Sequence, residues 1–171
     1  HAYHRRQRQM CIRDRKILGV DLTANYSSVA IKIDDDINSI SISHSTYARP
    51  DWDKLLNNLF PKEIILDDLD AVAYANGPGS FTSLRSAAAF TKAIAASKKI
   101  PLIPVSSLKA MAWESKKWVK QLPYIIHVCN VAEKENLYYA AYNLDSNKID
   151  VVTEPTSVSY THLTLPTMIR V

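Results

Sequence analysis

The sequence predicts an α/β protein with one complete lobe and part of a second, and three observations carry that prediction. The first is a run of short apolar segments near the start, 16–22, 29–33 and 37–42, separated by turn residues, which reads as three antiparallel strands. The second is an apolar run at 69–75, then a glycine turn, then an alanine-rich stretch to Lys98 without Gly or Pro. That order reads as strand, tight turn and helix. The third is a pair of β-rich segments, 124–131 and 137–144, that starts antiparallel pairing afresh after Pro123.

In chain order, 16–22 is a buried strand containing Gly19, 23–27 a turn, and 29–33 its alternating hairpin partner. Asp34, Asp35 and Asp36 form the next turn. They lack the Asp-x-Asp-x-Asp-Gly spacing of a calcium loop, so a solvated turn is expected. Ile37, Ile40 and Ile42 mark the third strand. A short helix is expected over 51–60: Asp51 caps it, Leu55, Leu56, Leu59 and Phe60 follow helical spacing, and Pro50 and Pro61 bound it. The helix over 82–98 carries Ala87, Ala88, Ala89, Ala93, Ala95 and Ala96. Leu84 and Phe90 are its anchors to the sheet, and Lys92, Lys98 and Lys99 mark its wet edge and end. Residues 100–105 read as a strand despite two prolines. Ser106 and Ser107 cap a helix to about residue 117, with Trp113 and Trp118 packing at its end. Residues 149–152 give a last strand.

At 171 residues and 47% hydrophobic, with mean hydropathy −0.15, the chain has enough apolar residues to bury a core. No apolar run approaches the roughly 18 residues of a membrane span. Cys11 and Cys129 show no pairing pattern, which points to a reducing, cytoplasmic setting. The net charge of +4 is concentrated at the ends. Residues 1–15 contain five arginines and one acid, whereas 16–157 contain 13 lysines, two arginines and 16 acids, a net −1. This break, together with read-through-like sequence at both ends, marks 1–15 and 158–171 as non-native tails. They flank a first lobe at 16–122 and a partial second lobe at 123–157.

The chain is organised around Asn76 to Arg85. Gly77 and Gly79 allow φ > 0 or a close backbone approach, Pro78 stiffens the turn, and Ser80 or Thr82 is placed to cap the helix. The dinucleotide fingerprint needs a third glycine where Thr82 stands, and a P-loop needs a Gly-Lys-Ser/Thr end that is missing. From spacing alone, this is a rigid strand-to-helix turn without a ligand.

Gly77-Pro78-Gly79-Ser80-Phe81-Thr82-Ser83-Leu84-Arg85 resembles the Gly-Pro-Gly-Ser-Phe-Thr-Gly-Leu-Arg signature of a known family. This is the scaffold subunit of bacterial tRNA threonylcarbamoyladenosine biosynthesis, the TsaB (YeaZ) family. Eight of nine positions match, with Ser83 in place of a glycine. The resemblance extends over about residues 16–145, through Lys16 to Thr23 and Ile100 to Leu108. It departs at Val131-Ala132-Glu133, where the family has Asp-Ala-Arg, and at the start of the 51–60 helix, which lacks the family's frequent His.

The resemblance implies the actin-like ATPase (ribonuclease H-like) fold. It also implies a non-catalytic subunit that binds a related catalytic protein, TsaD, and supports transfer of threonylcarbamoyl to adenosine in tRNA, with an ATPase, TsaE, completing the set. ATP or ADP and a metal ion would sit on those partners and none on this chain alone. The tRNA would be reached through the complex, with no membrane involved. In active members of the superfamily an Asp in the first turn helps hold metal-bound phosphates. Asp21 with Thr23 resembles that place as a weak, degenerate phosphate site, while the residues themselves read as a turn-capping carboxylate. The resemblance further places the two helices side by side as a docking face for the catalytic relative or a second copy. Trp52, Leu56, Ser83, Ala87, Ala88, Lys92 and Ala93 are its expected residues.

Two other classes stay open: a degenerate actin-like kinase or ATPase, and, less favoured, a metallopeptidase. The latter lacks ligands, because His44 and His127 form no His-Glu-x-x-His or paired spacing. His127 is expected in core or cross-strand packing, and Cys129 as a buried thiol. Ser80 lacks the Gly-x-Ser-x-Gly elbow of a serine nucleophile.

Overall fold

A computed structural model describes residues 15–23, 26–43, 51–57, 59, 66–119, 121–132 and 136–159. Expectations about His44, Pro50, Phe60, Pro61, Glu133, residues 1–14 and residues 160–171 lie outside them. The described residues fall into two compact units that part between Val105 and Ser106.

The first unit runs β1 (Lys16–Asp21), β2 (Tyr26–Ile33), β3 (Asp36–Ser43), α1 (Trp52–Asn57), β4 (Ala71–Ala75), α2 (Phe81–Lys98) and β5 (Leu102–Val105). Its sheet has the order β3-β2-β1-β4-β5. The first three strands pair antiparallel, while β1–β4 and β4–β5 pair parallel. A two-residue turn, with Asp34 at φ 55°, joins β2 to β3. Asp34 and Asp35 are exposed there, as a solvated turn requires. The parallel β4–α2–β5 unit needs a crossover helix, and the alanine-rich stretch supplies it. Pro104 within β5, and Pro101 just before it, are tolerated because β5 is the edge strand of the sheet among the described residues.

Alternation along the strands builds the core. Leu18, Val20 and Leu22 from β1 and the residue after it, with Val29 and Ile31 from β2, point into one cluster. Leu55 from α1, Val72 from β4 and Ala87 from α2 complete it. Ile40 and Ile42 pack at its margin, while Ile37, out of phase with them, is exposed. Both helices therefore bury against the same face of the sheet. The start of the sheet is tied by Asp70, whose Oδ2 accepts from the Lys16 N–H at 2.7 Å.

The second unit runs α3 (Ser107–Glu114), a 3-10 turn (Ser115–Lys117), β6 (Tyr124–Val131), β7 (Asn136–Leu144) and β8 (Ile149–Ser159). The strands form an antiparallel sheet in the order β6-β7-β8. Leu108 and Ala112 of α3 pack with Val128, Ala140, Tyr142 and Leu144. Ser115 Oγ donates to the Ala112 carbonyl at 2.6 Å and shares a 2.9 Å hydrogen bond with the Tyr124 hydroxyl. Burial pushes the Tyr142 phenol up from its ordinary pKa.

Three sequence expectations change here. The units part before α3 rather than at Pro123, because the apolar stripe of α3 finds its partners in β6 and β7. Trp113 and Trp118 are not packing residues: they are 44% and 60% exposed, since Leu108 and Ala112 take the buried side. Val158 and Ser159, assigned from composition to a tail, continue β8 opposite Leu137 and Asn136.

Candidate functional site

The register of the parallel strands assembles the site. Val20 lies opposite Tyr74, so β1 and β4 end side by side and their following turns meet. Substrate and cofactor sites of open α/β sheets form at such strand ends. After β1, Asp21 Oδ1 accepts from the Thr23 N–H at 2.8 Å and the Thr23 hydroxyl at 2.6 Å. After β4 comes Gly77, at φ 102°, then a cis bond to Pro78. A Cβ on Gly77 would stand 3.2 Å from Leu84 Cδ1. Gly79 is tighter still: a Cβ there would lie 2.7 Å from Thr23 Cβ and 3.0 Å from the Thr23 carbonyl oxygen. Only a residue without a side chain lets these two turns touch.

The two turns are thus held against each other. Asp21 takes up the turn-capping role that its residue type suggests, with Oδ1 engaged by its own chain. Among the described residues no group of three or more His, Cys, Asp or Glu is arranged to hold a metal ion.

Helix α2 starts at Phe81 without the expected side-chain cap: Ser80 is its N-cap residue but makes no capping hydrogen bond. The first turn closes through the backbone instead, with the Leu84 N–H donating to the Ser80 carbonyl at 2.9 Å. Thr82 is exposed. Arg85 Cζ sits 4.0 Å from the centroid of Phe81, one helical turn back, and Phe81 is 67% exposed. At the far end Lys99 adopts φ 54° and donates to the Ala95 and Ala96 carbonyls.

Helices α1 and α2 meet through a stacked pair, Trp52 and Phe90, with ring centroids 3.7 Å apart and planes 10° from parallel. Asp51 caps α1, its Oδ1 accepting from the Lys54 N–H at 3.1 Å. That hydrogen bond holds the carboxyl below its ordinary pKa. On α2 the inward face is Ala87, Thr91 and Ala95, and the Thr91 hydroxyl donates to the Ala87 carbonyl at 2.7 Å.

The expected docking residues sort accordingly. Ala87 is fully buried in its own unit and is not available to a partner. Trp52 is half-buried and faces Phe90, and Leu56, Ser83 and Ala88 are half-buried. Lys92 and Ala93 are exposed, together with Arg85, Ala89 and Ala96. Those five follow helical spacing and form one open face. Ala89 and Ala96 are not among the expected docking residues, because a helix that is alanine on all sides gives little contrast between wet and dry faces.

In the second unit, His127 is exposed on β6 and pairs with Tyr139, its Nδ1 2.8 Å from the Tyr139 hydroxyl. This is the cross-strand partnership expected of it. Cys129 is half-buried rather than buried, and burial pushes its thiol up.

Comparison with known proteins places this geometry. The family described as TsaD, tRNA N6-adenosine threonylcarbamoyltransferase, matches residues 38–168. The chain belongs to this family. Within it the chain is of the TsaB/YeaZ type. It is 32% identical over 137 residues to the tRNA threonylcarbamoyladenosine biosynthesis protein TsaB of Buchnera aphidicola (from Acyrthosiphon pisum), covering 78% of this chain and 60% of that protein. It is 28% identical over 135 residues to the Escherichia coli protein of the same name, covering 78% and 58%. The chain thus spans about three-fifths of the length of these relatives. YeaZ from Pseudomonas aeruginosa superposes with a TM-score of 0.78 over 90% of this chain and 72% of that one, at 19% identity. The fold is therefore the actin-like one. Among the described residues no helix is long and apolar enough to cross a membrane.

Proposed function

We propose that this chain is a non-catalytic partner subunit in the modification of tRNA adenosine to threonylcarbamoyladenosine, docking on a catalytic relative of its own family, TsaD. The observation that carries the reading is the match to TsaB proteins named for this biosynthesis. The structure supports it in two ways. The turns at the strand ends are engaged with each other through Asp21, Thr23 and Gly79. Helix α2 also presents an open face on which the small side chains of Ala89, Ala93 and Ala96 let a partner helix approach, edged by Arg85 and Lys92. In this reading ATP or ADP and a metal ion belong to the partner subunits, TsaE among them, and the lone chain neither transfers threonylcarbamoyl nor cleaves peptide.

Co-elution with the catalytic subunit tests the docking face. Ala93→Glu puts a charge on the open face and should weaken association more than tenfold. A desolvated, unpaired charge in a packed interface costs about 2–5 kcal/mol. Ala88→Glu, at a half-buried position, should do the same with some loss of stability. Ala87→Glu should unfold the first unit instead. If Ala93→Glu stays folded by circular dichroism and binds with unchanged affinity, the face is not used.

A further inference from the structure

Residues 106–123 contain four lysines, one acid and two tryptophans, a net +3 within a body of net −1. Helix α3 and its 3-10 extension turn Leu108, Ala112 and Ser115 into the core of the second unit. Lys109, Trp113, Lys116 and Lys117 stand one and two helical turns apart on the remaining surface, followed by Trp118. Lys116 is fixed in place: its Nζ lies 3.4 Å from the centroid of Trp113 and donates to the Ser146 carbonyl at 2.9 Å. Lys117 pairs with Glu114. Trp118 is 60% exposed, and Val119 and Leu122 extend its apolar edge. The patch uses none of the residues placed at the turns or on α2.

We propose that this end of α3 is a direct RNA contact. Trp118 offers a ring on which an unpaired base stacks, and Lys109, Lys116 and Lys117 face the phosphates. Two exposed indoles, one with the Lys116 ammonium over its ring, suit a partner that is both planar and anionic. An apolar protein surface would have to strip water from those ammonium groups without replacing it. Stacking and phosphate neutralisation are the two terms by which unpaired nucleic acid binds protein. The choice of tRNA as that RNA rests on the function proposed above.

The test titrates the full chain, alone and bound to the catalytic subunit, with an unmodified tRNA transcript, read by tryptophan fluorescence and by anisotropy of labelled RNA. Trp118→Ala should weaken binding about tenfold, and Trp118→Phe should restore most of it. Lys109→Glu with Lys117→Glu should weaken binding and flatten its dependence on salt by about one unit of slope per lysine lost. Lys32→Glu with Lys99→Glu, the same two charge reversals placed in the first unit, should leave binding nearly unchanged. Subunit co-elution is measured on the same variants. If the complex forms but Trp118→Ala and the lysine pair bind RNA as tightly as the parent, the RNA contact is overturned and the partner-subunit reading stands. If Trp118→Ala abolishes subunit association instead of RNA binding, the patch belongs to the partner subunit and the proposal also fails. Loss of co-elution in the unmodified chain overturns the underlying function.

Discussion

The two units share one device, a three-stranded antiparallel meander whose alternate residues enter a core, and differ in what is added to it. In the first, β3-β2-β1 is extended by β4 and β5 in parallel. In the second, β6-β7-β8 stands with α3 packed on it. The consequence is local. Parallel pairing of β1 and β4 brings two strand ends and their turns together, so Thr23 and Gly79 can touch. Antiparallel neighbours run their ends in opposite directions, so β6 and β7 bring no such pair of turns together. What the second unit offers lies at the end of its helix, where Trp113 and Trp118 are left outside. A shared meander does not imply a shared site; the crossover makes the difference.

The sharpest way to break this comparison is to empty each core in turn. Leu18→Ala and Leu144→Ala remove side chains that are both fully buried, one per unit, and each should cost about 2–5 kcal/mol. Read by native-state hydrogen exchange, Leu18→Ala should loosen β1, β2 and β4, and Leu144→Ala should loosen β6 and β7. Equal loosening of both sheets by either variant would show that the units do not open separately.

A smaller effect sharpens the claim about turns. Gly79→Ala forces a methyl group against Thr23 and should cost about 1–3 kcal/mol in chemical denaturation. Gly19→Ala meets only the Ala30 carbonyl, at 3.8 Å, and should be nearly neutral. If the two alanines behave alike, the contact between turns contributes nothing special.

The smallest effect lies in α1, which exists only in the first unit. The Asp51 carboxyl is held below its ordinary value of 3.8, first by the hydrogen bond from the Lys54 N–H. A carboxyl with a lowered folded pKa stabilises above its unfolded pKa, and that stabilisation fades as pH falls through the folded value. The Lys54 amide, followed by NMR, should therefore lose protection only below about pH 4. Asp51→Asn, which still caps but does not ionise there, should abolish that acid step. A step that survives in Asp51→Asn would assign it to another group.

What was legible in the sequence was whatever depends on neighbours along the chain. The alternation of Leu18, Val20 and Leu22, the cap at Asp51, the Gly-Pro-Gly break between strand and helix, and the cross-strand place of His127 all reflect period, turn chemistry and local hydrogen bonding. The signature turn also carried the family resemblance. Contacts between distant segments were not legible. Nothing near Gly79 announces Thr23, because their meeting depends on the register of β1 against β4. Nothing in six alanines says which of them face out, because alanine is compatible with both sides. Ala87 is internal, and Ala89 and Ala96 external, because α2 packs its Ala87, Thr91 and Ala95 face inward, with Phe90 stacked on Trp52 beside it. The same holds for α3. Its sequence allowed Trp113 and Trp118 to be core, and it was the fit of Leu108 and Ala112 against Val128 and Tyr142 that left the indoles in water. Side-chain type determined the elements. The packing of one element on another, which buries one face and by necessity exposes the opposite one, decided which residues remain free to meet a partner.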